Sequence, residues 1–326
     1  MPRQARLDMP GALHHIMVRG IDKKAVFSGK QDKEQLLERL GLNIIEGQSF
    51  VYAWVVMDNH MHLLFKSGKQ GISDIMRKLL TWYAQYYNRS HRRKGHLFEN
   101  RYKSILCDEE TYLLALIRYI HLNPVRAGII KTMEELDVYP WSGHSAIMGK
   151  AIRLWTDTDY VLAQFGTKRR AARNTYRRFV EEGMTSGRSP DLTGGGLVRS
   201  SGGWSEVVAM RRRGQKEEFD ERILGGGNFV HDVMKEAEER QIRQLKVRQR
   251  GMTIATIIDK ECRREGISVK EVKGGSRRGP VSRIRAKIAY RGREELGLSA
   301  AEIARHTGVS TSSITRAIDR VIKGVG

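Results

Sequence analysis

Residues 52–65 constrain this chain more than any other segment. They read as two apolar β-segments, 52–57 and 60–65, broken at Asp58 and Asn59, and the second opens with His60, Met61 and His62. Successive side chains of a strand point to opposite faces, so the two imidazoles project together while Met61 and Leu63 face the other way. At a rise of about 3.3 Å per residue they stand roughly 6.6 Å apart, close enough to converge on one divalent cation. The same pattern also suits two half-buried, hydrogen-bonded histidines, and the strand alone does not choose between these readings.

A downstream segment narrows the choice. Asp108 suits an N-cap, and Glu109 and Glu110 suit the positive end of a helix. Leu113, Leu116, Ile117 and Ile120 form a stripe at helical spacing. Asn123 followed by Pro124 ends that helix, because the residue before proline disfavours helical geometry. Tyr119 and Asn123 therefore sit four apart on one side of its last turn. A phenol becomes a nucleophile once a metal has polarised its target, and an amide oxygen one turn away is a suitable third hard ligand. Tyr112, seven residues earlier on the same helix face, is the rival nucleophile, and His121 is the rival third ligand.

These residues carry a family resemblance. His60-Met61-His62 resembles the HUH motif (His, bulky hydrophobic, His), and Tyr119 with Asn123 resembles the catalytic tyrosine and metal-ligating amide of single-tyrosine HUH transposases. The stretches HIMVRG at 15–20, VMDNHMHLL at 56–64, GHLFENRYKS at 95–104 and YIHLNPVRAG at 119–128 are similar to the REP-associated tyrosine transposase branch. The likeness spans about residues 1–150. One departure is visible: Ile21 and Asp22 follow Gly20, where the family commonly carries a polar pair such as Asn-Arg. The resemblance implies a ferredoxin-like or RRM-like core with the two histidines on a central strand. It further implies Mg²⁺ or Mn²⁺ held by His60, His62 and Asn123, with Tyr119 cleaving single-stranded hairpin DNA through a 5′-phosphotyrosine link. Related enzymes act as monomers or homodimers.

Composition agrees with a nucleic-acid partner. Lys and Arg number 58 against 37 Asp and Glu, a formal charge of +21, and such charge favours polyanions. Arg92, Arg93, Lys94, Arg101 and Lys103 are expected to flank the site and grip phosphates. No stretch approaches the ~18 apolar residues of a membrane span, and residues 1–6 lack the apolar core of a secretory signal. Two distant cysteines, Cys107 and Cys262, suggest a reducing compartment without a disulfide framework. They also exclude a cysteine-type zinc module. The expectation is a cytoplasmic, nucleoid-associated protein with no membrane partner.

The apolar patterning suggests three parts. Residues 1–165 alternate strand and helix: a strand at 15–19, helices at 32–46 and 72–88 and the hairpin at 52–65, then the tyrosine helix. This implies an α+β fold with helices covering an antiparallel sheet. Residues 166–250 read as a basic, loop-rich connector. They hold a helix candidate at 168–179, an arginine run at 211–213 and glycine clusters at 194–196, 202–203 and 225–227. None of these clusters precedes Lys-Ser/Thr, so a phosphate-cradling loop is not supported.

Residues 251–326 read as a small all-α domain. Ser299 with Glu302 has the capping-box spacing, Gly308 supplies a turn, and Ser310 caps a second helix. Thr311, Ser312, Ser313, Thr315 and Arg316 are candidates for duplex DNA contacts in a helix-turn-helix. This region resembles the C-terminal DNA-binding domain of the replication initiator DnaA. Two other functions fit parts of the pattern: a non-catalytic DNA-binding regulator, and a metal nuclease that activates water.

Overall fold

The computed structural model describes residues 7–9, 11–68, 71–184, 192, 220, 222–249 and 251–322. The N-terminal hexapeptide, the glycine clusters at 194–196 and 202–203 and the arginine run at 211–213 lie outside the described residues. The chain forms two compact units, Met1–His231 and Asp232–Gly326.

In the first unit the elements run β1 (Leu13–Arg19), α1 (Lys30–Glu46), β2 (Phe50–Val56), β3 (His60–Lys66), α2 (Ile72–Ser90), β4 (Lys103–Cys107) and α3 (Glu109–His121). Short helices α4 (Asn123–Arg126), α5 (Met133–Asp137), α6 (Gly143–Ile147) and α7 (Thr158–Ala163) follow, then α8 (Arg169–Glu182) and β5 (Ile223–Leu224). Among the described residues the sheet order is β2-β3-β1-β4-β5. The pairs β1–β3, β1–β4 and β2–β3 are antiparallel, and β5 adds to the β4 edge in parallel. The first four strands thus have the split βαβ, ferredoxin-like topology. The hairpin and the strand before it match the sequence pattern within two residues. β4 and β5 are short and were not read from the sequence.

Alternation along the strands builds two cores. Ile16, Val18, Trp54, Val56, Met61, Leu63 and Phe65 pack under α1 and α2 with Leu36, Leu37, Leu40, Ile75 and Leu79. The opposite face, with Leu13, Ala53, Val55, Leu64, Ile105 and Cys107, packs on Leu113, Leu116, Ile117 and Ile120 of α3. A carboxylate 64 residues away starts α2: Asp8 accepts from the Ile72 and Ser73 amides at 2.8 and 3.0 Å, contributing about 1 kcal/mol as such caps do.

The helix carrying Tyr119 ends at His121, but Pro124 does more than stop it. Pro124 occupies the first turn of α4, where its missing N–H costs nothing. The chain continues helically across the junction, with Leu122 N donating to Arg118 O and Arg126 N to Leu122 O, which keeps Asn123 and Arg126 on the side of Tyr119.

The described part of residues 166–250 is more helical than a loop-rich connector. In α8, Ala172, Tyr176 and Val180 recur every four residues and are fully buried in the core beneath α3. That stripe puts α8 in the first unit.

The helix α9 (Gly227–Gln249) leads into the second unit, followed by α10 (Ile254–Arg264), α11 (Val269–Lys273), α12 (Gly279–Leu296), α13 (Ala300–Thr307) and α14 (Thr311–Ile322). Ile254, Ile257, Ile258 and Cys262 pack on Val281, Ile284 and Ile288. Ser299 and Glu302 form the expected capping box. Gly308 has φ +64°, and a Cβ there would overlap the Lys273 carbonyl. Ser310 Oγ accepts from the Ser313 amide at 3.2 Å, so both helix starts were legible in the sequence.

Candidate active site

The β1–β3 register sets Arg19 opposite His60 and Met17 opposite His62. Both histidines leave the sheet on the α3 side, as the alternation requires, with Met61 and Leu63 in the other core. The rings of His60 and His62 lie edge to face with centroids 5.2 Å apart. The ring of Tyr119 stands 5.9 Å from His62 and 5.9 Å from His15. His60, His62, Tyr119 and Asn123 line one cleft of about 590 Å³, together with Arg19, Glu99, Lys103 and Arg126. Four residues drawn from 64 positions of sequence therefore meet at a single opening.

Each candidate side chain is held. His60 Nδ1 lies 2.6 Å from Asn59 Oδ1, and His62 Nδ1 lies 2.9 Å from His15 Nε2. The Asn123 amide nitrogen donates to the carbonyls of Tyr119 and Ile120 at 2.9 and 3.3 Å, which leaves its oxygen as the acceptor. Arg126 donates to the Tyr119 carbonyl at 3.0 Å and lies over the phenol ring, 5.1 Å from its centroid. That geometry is a cation–π contact.

Burial keeps the imidazoles neutral. It pushes His60 down to about 4, with the positive charge of Arg19 adding to the effect. Burial likewise holds His62 well below the usual histidine range, reinforced by His15, His60 and Arg19. Neutral imidazole is the form that binds metal. Two imidazoles and an amide oxygen on one cleft are a donor set suited to a small divalent cation that keeps water or substrate oxygens as its other ligands. Among the described residues no group of three or more His, Cys, Asp or Glu is placed to hold a metal.

The rivals go elsewhere. Tyr112 packs against the core beneath α3 and does not line the cleft. His121 is fully buried, its Nδ1 2.7 Å from the Tyr176 hydroxyl. That hydroxyl also lies 2.9 Å from His144 Nδ1, and His144 Nε2 lies 2.8 Å from Asp137. His121 thus belongs to a polar chain behind α3.

Of the cations expected to grip phosphate, Lys103 lines the cleft. Arg101 lines a neighbouring groove under α2, which shares Asn100 and Tyr102 with the cleft. Arg92, Arg93 and Lys94 lie at the end of α2 and line neither.

In the second unit Thr311, Ser312 and Arg316 are exposed and Ser313 is half-buried, whereas Thr315 is buried. The Thr315 hydroxyl is turned onto the Thr311 carbonyl at 3.0 Å. Thr315 is therefore corrected to a core position: it follows Ile314 on the inward side of α14.

The sequence reading assigned no role to His15, Asn59 or Arg126. Arg126 had a signal, since it stands seven residues after Tyr119 and so on the same helical side. His15 also had one, as a second histidine on an apolar strand with the parity of Met17. The role of Asn59 depends on contacts 36 residues away and had none.

Residues 10–123 match the family model described as Transposase IS200 like. No curated protein matches the chain. A solved structure described as the REP-associated tyrosine transposase bound to a REP hairpin is similar at 18% identity and a TM-score of 0.38, covering 49% of this chain and 90% of that one. A likeness that loose transfers no geometry. Among the described residues no helix is long and apolar enough to cross a membrane.

Proposed function

We propose that the IS200-like transposase segment, residues 10–123, works with Arg126 as a single-stranded DNA endonuclease and strand transferase whose nucleophile is Tyr119. The observation that carries this reading is the meeting of Tyr119 with His62, His60 and Asn123 in one open cleft. When bound by His60, His62 and Asn123, Mg²⁺ or Mn²⁺ would polarise a non-bridging oxygen of the scissile phosphate.

Tyr119 attacks phosphorus through its phenolic oxygen. The bond to the 3′-oxygen breaks, the phenol loses its proton, and the departing oxygen takes one up. The products are a 5′-phosphotyrosine link and a free 3′-hydroxyl. The ester keeps the bond energy, so attack by another 3′-hydroxyl rejoins DNA without an external energy source. Arg126 holds the nucleophile through its ring and its carbonyl. Lys103 and Arg19 supply positive charge on the wall where DNA phosphates would lie. The expected substrate is an unpaired strand at the foot of a hairpin. In the second unit, α14 presents Thr311, Ser312 and Arg316 to duplex DNA as a recognition helix would.

The test is a denaturing gel of the full chain incubated with 3′-labelled hairpin DNA and Mn²⁺. The expected result is a labelled protein–DNA adduct in the wild type and none with Tyr119→Phe. Cleavage without an adduct would move the chemistry to activated water. Binding of many hairpins with no cleavage would leave a DNA-binding regulator.

A further inference from the structure

We propose that Asn59 is a positioning residue that fixes the proton of His60 on Nδ1, so that its Nε2 lone pair is offered to the cation. This rests on the reading above that the pair holds a metal.

The argument starts at the turn after β1, where this chain carries Ile21 and Asp22. Ile21–Lys23 form a 3-10 turn, and Asp22 and Lys23 both adopt left-handed backbone angles, φ +53° and +57°. The turn is tight: a Cβ on Gly20 would overlap the Lys24 carbonyl. Its geometry presents the Lys23 carbonyl to the β2–β3 loop. The Asn59 amide nitrogen donates to that carbonyl at 3.1 Å.

This contact decides which way the Asn59 amide faces. With the nitrogen engaged by Lys23, the oxygen is the atom 2.6 Å from His60 Nδ1. A carboxamide oxygen only accepts. His60 must then carry its proton on Nδ1, and Nε2 keeps the lone pair. The loop is fastened on its other side as well, since Lys33, which is buried, donates to Asp58 Oδ1 at 2.7 Å. The Gly20 amide donates to the Asn59 carbonyl at 2.9 Å.

His62 is held in place from β1. His15 is fully buried, stacks on the His62 ring at 5.2 Å, and places Nε2 2.9 Å from His62 Nδ1. This contact orients the His62 ring. A partner on the second ring nitrogen is the usual means by which a protein fixes the tautomer and orientation of a ligating histidine.

The experiment is ¹⁵N spectroscopy of the histidine rings in the metal-free full chain, followed by Mn²⁺ titration calorimetry. In the wild type, His60 is expected as the Nδ1–H form. Asn59→Leu should move His60 to the Nε2–H form, leave His62 unchanged and weaken Mn²⁺ binding about 10–100-fold. Asn59→Asp keeps an acceptor and should keep the Nδ1–H form; it also serves if the leucine variant does not fold. A wild-type His60 protonated on Nε2, or a tautomer indifferent to Asn59→Leu, would overturn the proposal, as would loss of the Nδ1–H form in Asn59→Asp. An Nδ1–H form of His60 in a wild type that binds no Mn²⁺ would support the proton placement and overturn the metal reading instead.

Discussion

The cleft of the first unit and the helix pair of the second are built by opposite means. The cleft joins residues from β1, β3 and α3, and its supports come from further off: Asn59 leans on Lys23, and His121 on Tyr176. The helix pair α13–α14 is specified almost within twelve residues, by the capping box at Ser299, the left-handed Gly308 and the hydroxyl of Ser310. A site for chemistry needs side chains converging from several elements, and only tertiary structure brings these together. A helix pair needs an apolar seam and well-placed ends, which local sequence can supply.

The two units should therefore fail differently, and acid should separate them most. All five tryptophans precede residue 232, so indole fluorescence follows the first unit alone. Burial depresses His14 and His60 to about 4 and holds His62 and His121 low. The unfolded chain takes up these protons below about pH 6.5, while in the folded unit His14 and His60 stay neutral until about pH 4 and burial holds His62 and His121 neutral well below the usual histidine range. Stability is thus complete above pH 6.5 and falls as pH drops through that window, by an amount on the order of several kcal/mol. In the second unit the one histidine, His306, is exposed. Melting at pH 7 and pH 5 should show the fluorescence transition moving down steeply while the remaining helical transition moves little. Equal shifts of the two would erase the distinction.

The next largest effect belongs to the second unit. Gly308→Ala meets both a left-handed backbone and the Lys273 carbonyl, and should cost about 2–4 kcal/mol. Circular dichroism should place that loss in the helical transition, with the fluorescence transition unmoved. Tyr176→Phe makes the reciprocal test. It strips the hydroxyl shared by His121 and His144 and should cost the first unit about 1–3 kcal/mol, read as a lower urea midpoint of indole fluorescence. The smallest change is Ser299→Ala, which removes one cap from α13. A loss of about 1 kcal/mol is expected in the second unit only.

Legibility in the sequence follows the same division. The period of two around His60 and His62 gave their shared face, and the four-residue step from Tyr119 to Asn123 gave their shared side. Those two local rules, with the resemblance, were enough to name the cleft. They were silent on Asn59, whose amide is turned by a carbonyl across the fold, and on the burial of α8, read as a basic helix at 168–179, whose widely spaced stripe at Ala172, Tyr176 and Val180 was masked by five intervening polar or basic positions such as Arg173 and Arg177. Thr315 was misplaced for a related reason. A polar residue early in a recognition helix invites a DNA contact, yet the packing of Ile314 and Ile318 turns that position inward.

The central claim is that the nucleophile is Tyr119, in the cleft with the histidine pair, and not Tyr112 in the core beneath α3. Peptide mapping of the wild-type adduct formed on labelled hairpin DNA tests it most directly. The account predicts the nucleotide on the peptide containing Tyr119, with the modification on its phenolic oxygen. A nucleotide on Tyr112, or on any residue outside the cleft, would contradict it.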